Sequence, residues 1–208
     1  MTLRGNAVWL AIAASLLGGC AGMSEQACLV SDWRTVGFED GTAGLPQSRI
    51  GTYRQACSKH GVSPSLDAYL AGHDEGVQLY CRPARGFEAG RSGATYHGVC
   101  PVDLEADFVA EYNAGLHLYE LESAVRRIDS QIASNLRAQE DIKQELAAIT
   151  VSMAGEGVSA EERVGLVARA AEIGRRHGEL ETLNDALERE RVLHEQALFD
   201  YRQTLAGT

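Results

Sequence analysis

Tyr69-Leu-Ala-Gly72-His-Asp-Glu-Gly76-Val-Gln-Leu-Tyr80-Cys81 is the stretch on which the fold turns. Its aromatics, glycines and cysteine fall at steps of 3, 4, 4 and 1, which fit one face of an α-helix. Glycine is a poor helix former, so two of them on one face predict another segment in close approach. Related aromatic–glycine patterns recur at Trp33, Phe87 and Tyr112. Small β-hairpin arrays are the competing reading, but they need a fixed period. The leading aromatics Trp33, Tyr69, Phe87 and Tyr112 lie 36, 18 and 25 residues apart, so the helical reading is preferred.

Upstream, Arg4 and the N-terminal amine precede an apolar run from Ala7 to Leu17, broken by Ser15. That run is too short to span a bilayer and has the form of a secretory signal. It ends in Leu17-Gly18-Gly19-Cys20, which resembles the bacterial lipobox. By that resemblance residues 1–19 are a lipoprotein signal peptide, Cys20 carries the acyl chains, and residues 20–27 are a lipidated N-terminus and linker. Ala21 stands where an aspartate commonly retains lipoproteins in the inner membrane. The resemblance therefore implies a lipid-anchored protein of the outer membrane that faces the periplasm. An ordinary cleaved signal, leaving Cys20 as a thiol, is the alternative.

Setting Cys20 aside leaves Cys28, Cys57, Cys81 and Cys100, an even number suited to disulfides in an oxidising compartment. Three pairings are open. A metal site competes, but no pair has the close spacing of zinc cysteines. Trp33, Gly37, Gly41 and Gly44 fall at steps of 4, 4 and 3, predicting a first helix that ends at Leu45-Pro46. A second runs from about Gln47 to His60, with Gly61 as its stop. If the two form an antiparallel hairpin, Cys28 meets Cys57, and Cys81 then pairs with Cys100. The opening stretch is a third helix started by Ser63-Pro64-Ser65, and residues 82–102 read as a helical turn and an ordered loop.

The order Asp32-Trp33-x3-Gly37-x2-Asp40-Gly41, Tyr69-x2-Gly72-x3-Gly76-x3-Tyr80-Cys81, Gly90-x2-Gly93-x2-Tyr96-x-Gly98-Val99-Cys100-Pro101, Tyr112-x2-Gly115-x3-Tyr119 resembles a family of bacterial lipoproteins known as domain of unknown function 2799. The resemblance covers roughly residues 25–122. It supports the signal and the cysteine framework, and it implies no activity and no catalytic residue.

Downstream the composition changes. Residues 21–102 carry 8 acidic and 7 basic side chains, whereas residues 103–208 carry 21 and 11. An acidic arm argues against nucleic acid and against electrostatic binding to anionic lipid. Asp103 is a plausible N-cap for a long helix. Leu118, Leu121, Val125, Ile128, Ile132, Asn135, Gln139, Ile142, Leu146 and Ile149 then alternate steps of 3 and 4, a coiled-coil seam. Residues 150–159 interrupt it with two glycines, and Ser159-Ala160-Glu161-Glu162 restarts a helix as a capping box. Leu166, Ile173, Leu180, Leu187, His194 and Tyr201 recur every seven residues, with mixed companions. The expected fold is all-α: a disulfide-stapled, glycine-rich helical domain over 28–102, then a long antiparallel coiled-coil hairpin over 103–208.

Chemistry is sparse. His73-Asp74-Glu75 is a dense polar cluster, but neighbours on a helix point about 100° apart and do not converge on an ion. No serine lies in a nucleophile elbow and no glycine loop is followed by a phosphate-binding lysine. The expectation is a non-enzymatic envelope lipoprotein with no catalytic residue, no cofactor and no metal. It would contact the membrane through its anchor and a protein partner, or a second copy, through Leu118, Leu121, Val125, Ile128 and Ile132. The alternative is a small-ligand or peptidoglycan-binding module whose stacking face is Trp33, Tyr69, Tyr80 and Tyr96.

Overall fold

The computed structural model describes residues 23–207, and the expected signal peptide over residues 1–19, Cys20 and Ala21 lie outside them. Among the described residues there are seven α-helices and no strand: α1 (Glu25–Val30), α2 (Trp33–Thr42), α3 (Ile50–Ser58, preceded by a 3-10 turn at Gln47–Arg49), α4 (Leu66–Tyr80), α5 (Pro83–Arg91), α6 (Val102–Ala154) and α7 (Ala160–Ala206). The all-α expectation holds. The chain divides into two compact units, one of the described residues up to Arg85 with Tyr96–Val109, the other of Gly86–Thr95 with the residues from Ala110 onward. The expected boundary at 102/103 is therefore displaced. Helix α6 starts at Val102 and runs across it without interruption. Asp103 lies inside the first turn of α6 rather than capping it.

Local sequence accounts for the ends of these helices. The Asp32 carboxylate caps α2 by accepting from the Arg34 amide, and the Ser65 hydroxyl caps α4 through the Ala68 amide. Gly44, at φ +70°, stops α2 in the left-handed region, where the Leu45 amide reaches back to the Asp40 carbonyl at 3.0 Å. It therefore lies beyond the helical face on which the spacing placed it. Helix α1 is an addition to the expected set. Ser24 caps it, and Cys28 ties it to Cys57 at the end of α3. Cys81 is bonded to Cys100.

Cys28, Trp33, Ile50, Cys57 and Tyr69 are buried together, with Tyr53 and Val62 packed against them. The sequence reading paired α2 with α3. In the structure α2 lies along α4 instead, and Cys28 reaches Cys57 from α1 rather than from the first turn of α2.

In the second unit α6 and α7 form an antiparallel hairpin. Glu145 pairs with Arg169, the Asn135 amide donates to Asn184 at 2.8 Å, Asp129 faces Arg191 at 3.6 Å, and Glu122 accepts from Arg202 at 2.7 Å. Each step back along α6 is thus a step forward along α7. Ile128 and Ile132 close on Leu187, and Ile142 and Ile149 close on Ile173. At the tip the Ser159 hydroxyl and Glu162 side chain form the expected capping box. Arg163 donates to the Met153 and Gly155 carbonyls, satisfying the end of α6.

Candidate functional site

The opening stretch is half of a clasp between two helix backbones. A β-carbon added at Gly37 would lie 2.0 Å from the Tyr69 carbonyl oxygen, and one at Gly41 would lie 2.4 Å from that of His73. From the other side, a β-carbon at Gly72 would lie 1.9 Å from the Arg34 carbonyl oxygen, and one at Gly76 2.3 Å from that of Phe38. Glycine is required on both helices because the facing atoms are backbone and cannot turn aside. The Tyr80 ring covers Gly44, whose missing side chain leaves its seat.

A second clasp repeats the first. Gly37-Phe38-Glu39-Asp40-Gly41-Thr42-Ala43-Gly44 returns as Gly86-Phe87-Glu88-Ala89-Gly90-Arg91-Ser92-Gly93, and the Gly76-Val77-Gln78-Leu79-Tyr80 stretch returns as Gly115-Leu116-His117-Leu118-Tyr119. A β-carbon at Gly90 would lie 2.0 Å from the Tyr112 carbonyl oxygen, and one at Gly115 2.2 Å from that of Phe87. Gly93, at φ +72°, lies under the Tyr119 ring as Gly44 lies under Tyr80. The Ala94 amide donates to the Ala89 carbonyl at 3.1 Å, matching the Leu45–Asp40 bond. His73 Nε2 lies 2.7 Å from the Leu45 carbonyl, and the Tyr112 hydroxyl donates to the equivalent Ala94 carbonyl at 2.9 Å. This two-helix repeat was missed in the sequence reading. Testing the four leading aromatics for one period mixed the two alternating helix types. Aligning α2 with α5 on their glycines, and α4 with the start of α6 on Gly76 and Gly115, finds it, with Phe38 matching Phe87 and Tyr69 matching Phe108.

The internal copy acts as a control on the polar residues. In the first clasp Asp40 is buried. It accepts from the Tyr69 hydroxyl at 2.8 Å and the Tyr53 hydroxyl at 3.1 Å, and Arg49 Nε lies 3.2 Å away. Burial, followed by the bond and charge of Asp40, pushes the Tyr69 hydroxyl well above the usual tyrosine range. Tyr53 is raised as well, chiefly by burial. The second clasp has Ala89 and Phe108 at the positions of Asp40 and Tyr69, so the clasp itself needs no carboxylate. What distinguishes the first is its longer connector, which contains α3. Arg49 and Tyr53 come from that insertion. The network therefore reads as the attachment of α3 to the clasp.

The other polar residues diverge. His73 turns to the Leu45 carbonyl, Asp74 accepts from Gln47 at 3.0 Å, and Glu75 pairs with Arg34. With Nε2 facing a carbonyl, its hydrogen sits there and Nδ1 is left buried without a hydrogen-bond partner. No group of three or more potential metal ligands converges among the described residues.

The proposed stacking face divides. Trp33 and Tyr69 flank Tyr53, with ring centroids 6.0 and 6.2 Å from it, whereas Tyr80 and Tyr96 flank Phe108, each at 5.0 Å. Trp33, Tyr69 and Tyr80 are buried, so the four rings are two core clusters and not an open platform. The partner-binding assignment needs a similar correction. Leu118, Ile128 and Ile132 are buried, Leu121 and Val125 are half-buried, and Ile128 and Ile132 are covered by Leu187 of the same chain. The apolar residues left open on α7 are others, among them Val192, Leu193 and Phe199, at 58%, 72% and 58% exposure.

Residues 32–117 match a family model described as a protein of unknown function (DUF2799), which bears out the resemblance over that stretch. The match starts at the cap of α2 and takes in the glycines of both clasps, ending two residues before Tyr119. No curated protein and no solved structure matches the chain.

Proposed function

From the premise of a domain of unknown function at residues 32–117, we propose that this chain is a non-enzymatic cell-envelope lipoprotein whose helical arm binds a protein partner. Cys20 carries the lipid, and the protein is held at the outer membrane facing the periplasm. The clasped domain is the mount and the α6–α7 hairpin is the binding element. The observation that carries this reading is the division of labour on α7. Its inward residues are spent on α6, while Val192 and Phe199, seven residues apart on one face, and Leu193 next to Val192 in the chain are left exposed on an acidic helix. Val192 and Phe199 share one face, and exposed apolar residues that share a face of a charged helix favour contact with another protein. The partner surface is thus the outer face of the hairpin and not its seam.

The test is photocrosslinking in cells expressing the full chain, with the crosslinker at Val192, Leu193 or Phe199 and, for comparison, at the exposed polar positions Ser130 and Arg189. Specific products from the apolar positions, abolished by Leu193→Glu, are expected. Equal labelling from all five positions would remove the arm as the binding element.

A further inference from the structure

Helix α1 has six residues, too few to persist alone, yet it is firmly held. Ser24 caps its start, Cys28 is buried, and the Cys28–Cys57 bridge ties it to the end of α3. The two residues after the bridged cysteine, Leu29 and Val30, are 61% and 67% exposed. They are large apolar side chains displayed on a cross-linked corner. His60 Nδ1 lies 4.0 Å from the Glu25 carboxylate, so the end of α3, with the exposed Lys59, is at the same corner.

Chain connectivity selects the occupant. Cys20 precedes Glu25 by five residues, at most about 18 Å when fully extended. Four helical residues to Leu29 add about 6 Å. Given a lipid on Cys20, which this inference takes from the proposed function, Leu29 and Val30 stay within about 26 Å of the acylated residue. We propose that the α1 corner is a bilayer-docking face, with Leu29 and Val30 entering the lipid interface and Lys59 beside them facing lipid phosphates. The anchor and this face are then two contacts with one membrane, and together they set the orientation of the first unit on its surface.

The experiment uses the full-length chain reconstituted in vesicles of phosphatidylethanolamine and phosphatidylglycerol, with and without bromine on the acyl chains. Val30→Trp places a fluorophore on the corner at a side chain that is already exposed. After subtraction of the wild-type emission, bromolipid is expected to quench the introduced tryptophan about twofold or more, and Leu29→Asp in the same chain to relieve that quenching. Flotation with the vesicles and the mass of the N-terminal residue report on the anchor separately. A chain that floats with an unquenched, water-like tryptophan overturns the docking face and leaves the anchor standing. A chain that is not acylated and does not float overturns both.

Discussion

Replacing Gly72 by alanine measures the clasp directly. The added β-carbon would sit 1.9 Å from the Arg34 carbonyl oxygen, 2.8 Å from its carbon and 3.0 Å from the Phe38 nitrogen. A carbon normally approaches a carbonyl oxygen to about 3.3 Å, so α2 and α4 must separate by more than about 1 Å. Overpacking a well-filled interior costs about 1–3 kcal/mol where side chains can yield. Backbone cannot yield, which puts this site at about 3 kcal/mol. Alanine recovers about 1 kcal/mol of helix propensity. The net loss of about 2 kcal/mol lowers Tm by about 4–8 °C in a chain of this size. Gly174 supplies the opposite sign. It too is inside a helix, but nothing lies within 4 Å of its added β-carbon. Gly174→Ala should gain up to about 1 kcal/mol and raise Tm by about 2–4 °C. Scanning calorimetry of both variants against wild type decides the matter. A Gly72→Ala protein melting at or above wild type would refute backbone contact between α2 and α4.

Removing the second bridge with Cys81→Ser/Cys100→Ser, which opens a span of 19 residues, should cost about 3 kcal/mol in denaturant unfolding. Asn135→Leu alone should destabilise the hairpin by about 1–3 kcal/mol, because it strands Asn184, whereas adding Asn184→Leu should recover the loss; a double-mutant cycle by thermal melting reads the coupling. Tyr69→Phe should cost about 1.5–3 kcal/mol by leaving buried Asp40 short of a donor, and Asp40→Ala in the same chain, which copies Ala89 and Phe108 of the second clasp, should cost less than the two single changes added together. Glu122 is held below its ordinary value of 4.5, first by the hydrogen bond from Arg202. Its contribution is therefore complete above pH 4.5 and is lost as pH falls through the lower folded value; Glu122→Gln should flatten the decline in hairpin Tm over that acid range.

Several parts of this fold were open to a reader of the sequence, and the reasons the others were not are physical. The seam from Leu118 to Ile149 was legible because one strong period runs through ten successive seam positions. Its partner was harder to see. The companions Ala170, His177, Asn184 and Arg191 on α7 are small or polar, and the match depends on pairs such as Asn135 with Asn184. Gly72 and Gly76 announced a close helix contact, but spacing alone did not say which helix made it. The sequence reading paired α2 with its neighbour α3 and left the partner of α4 open, whereas Gly37 and Gly41 are the residues of α2 that can admit α4. Helix α1 has no periodicity to detect, since a disulfide rather than an amphipathic face holds it. The aromatic face was misread for a related reason: Trp33, Tyr69 and Tyr80 are the large residues available to fill a core that glycines have kept small.

That economy has a thermal consequence. A clasp made by Gly37, Gly41, Gly72 and Gly76 brings peptide groups together, and it hides little hydrocarbon where the two helices touch. Heat capacity rises on unfolding in proportion to the apolar area exposed and falls with the polar area. Melting such a contact therefore adds little to the heat-capacity change, and its free energy varies gently with temperature. In the cold, where attraction between oily side chains weakens, the clasps keep their strength while the Ile–Leu layers of the arm loosen.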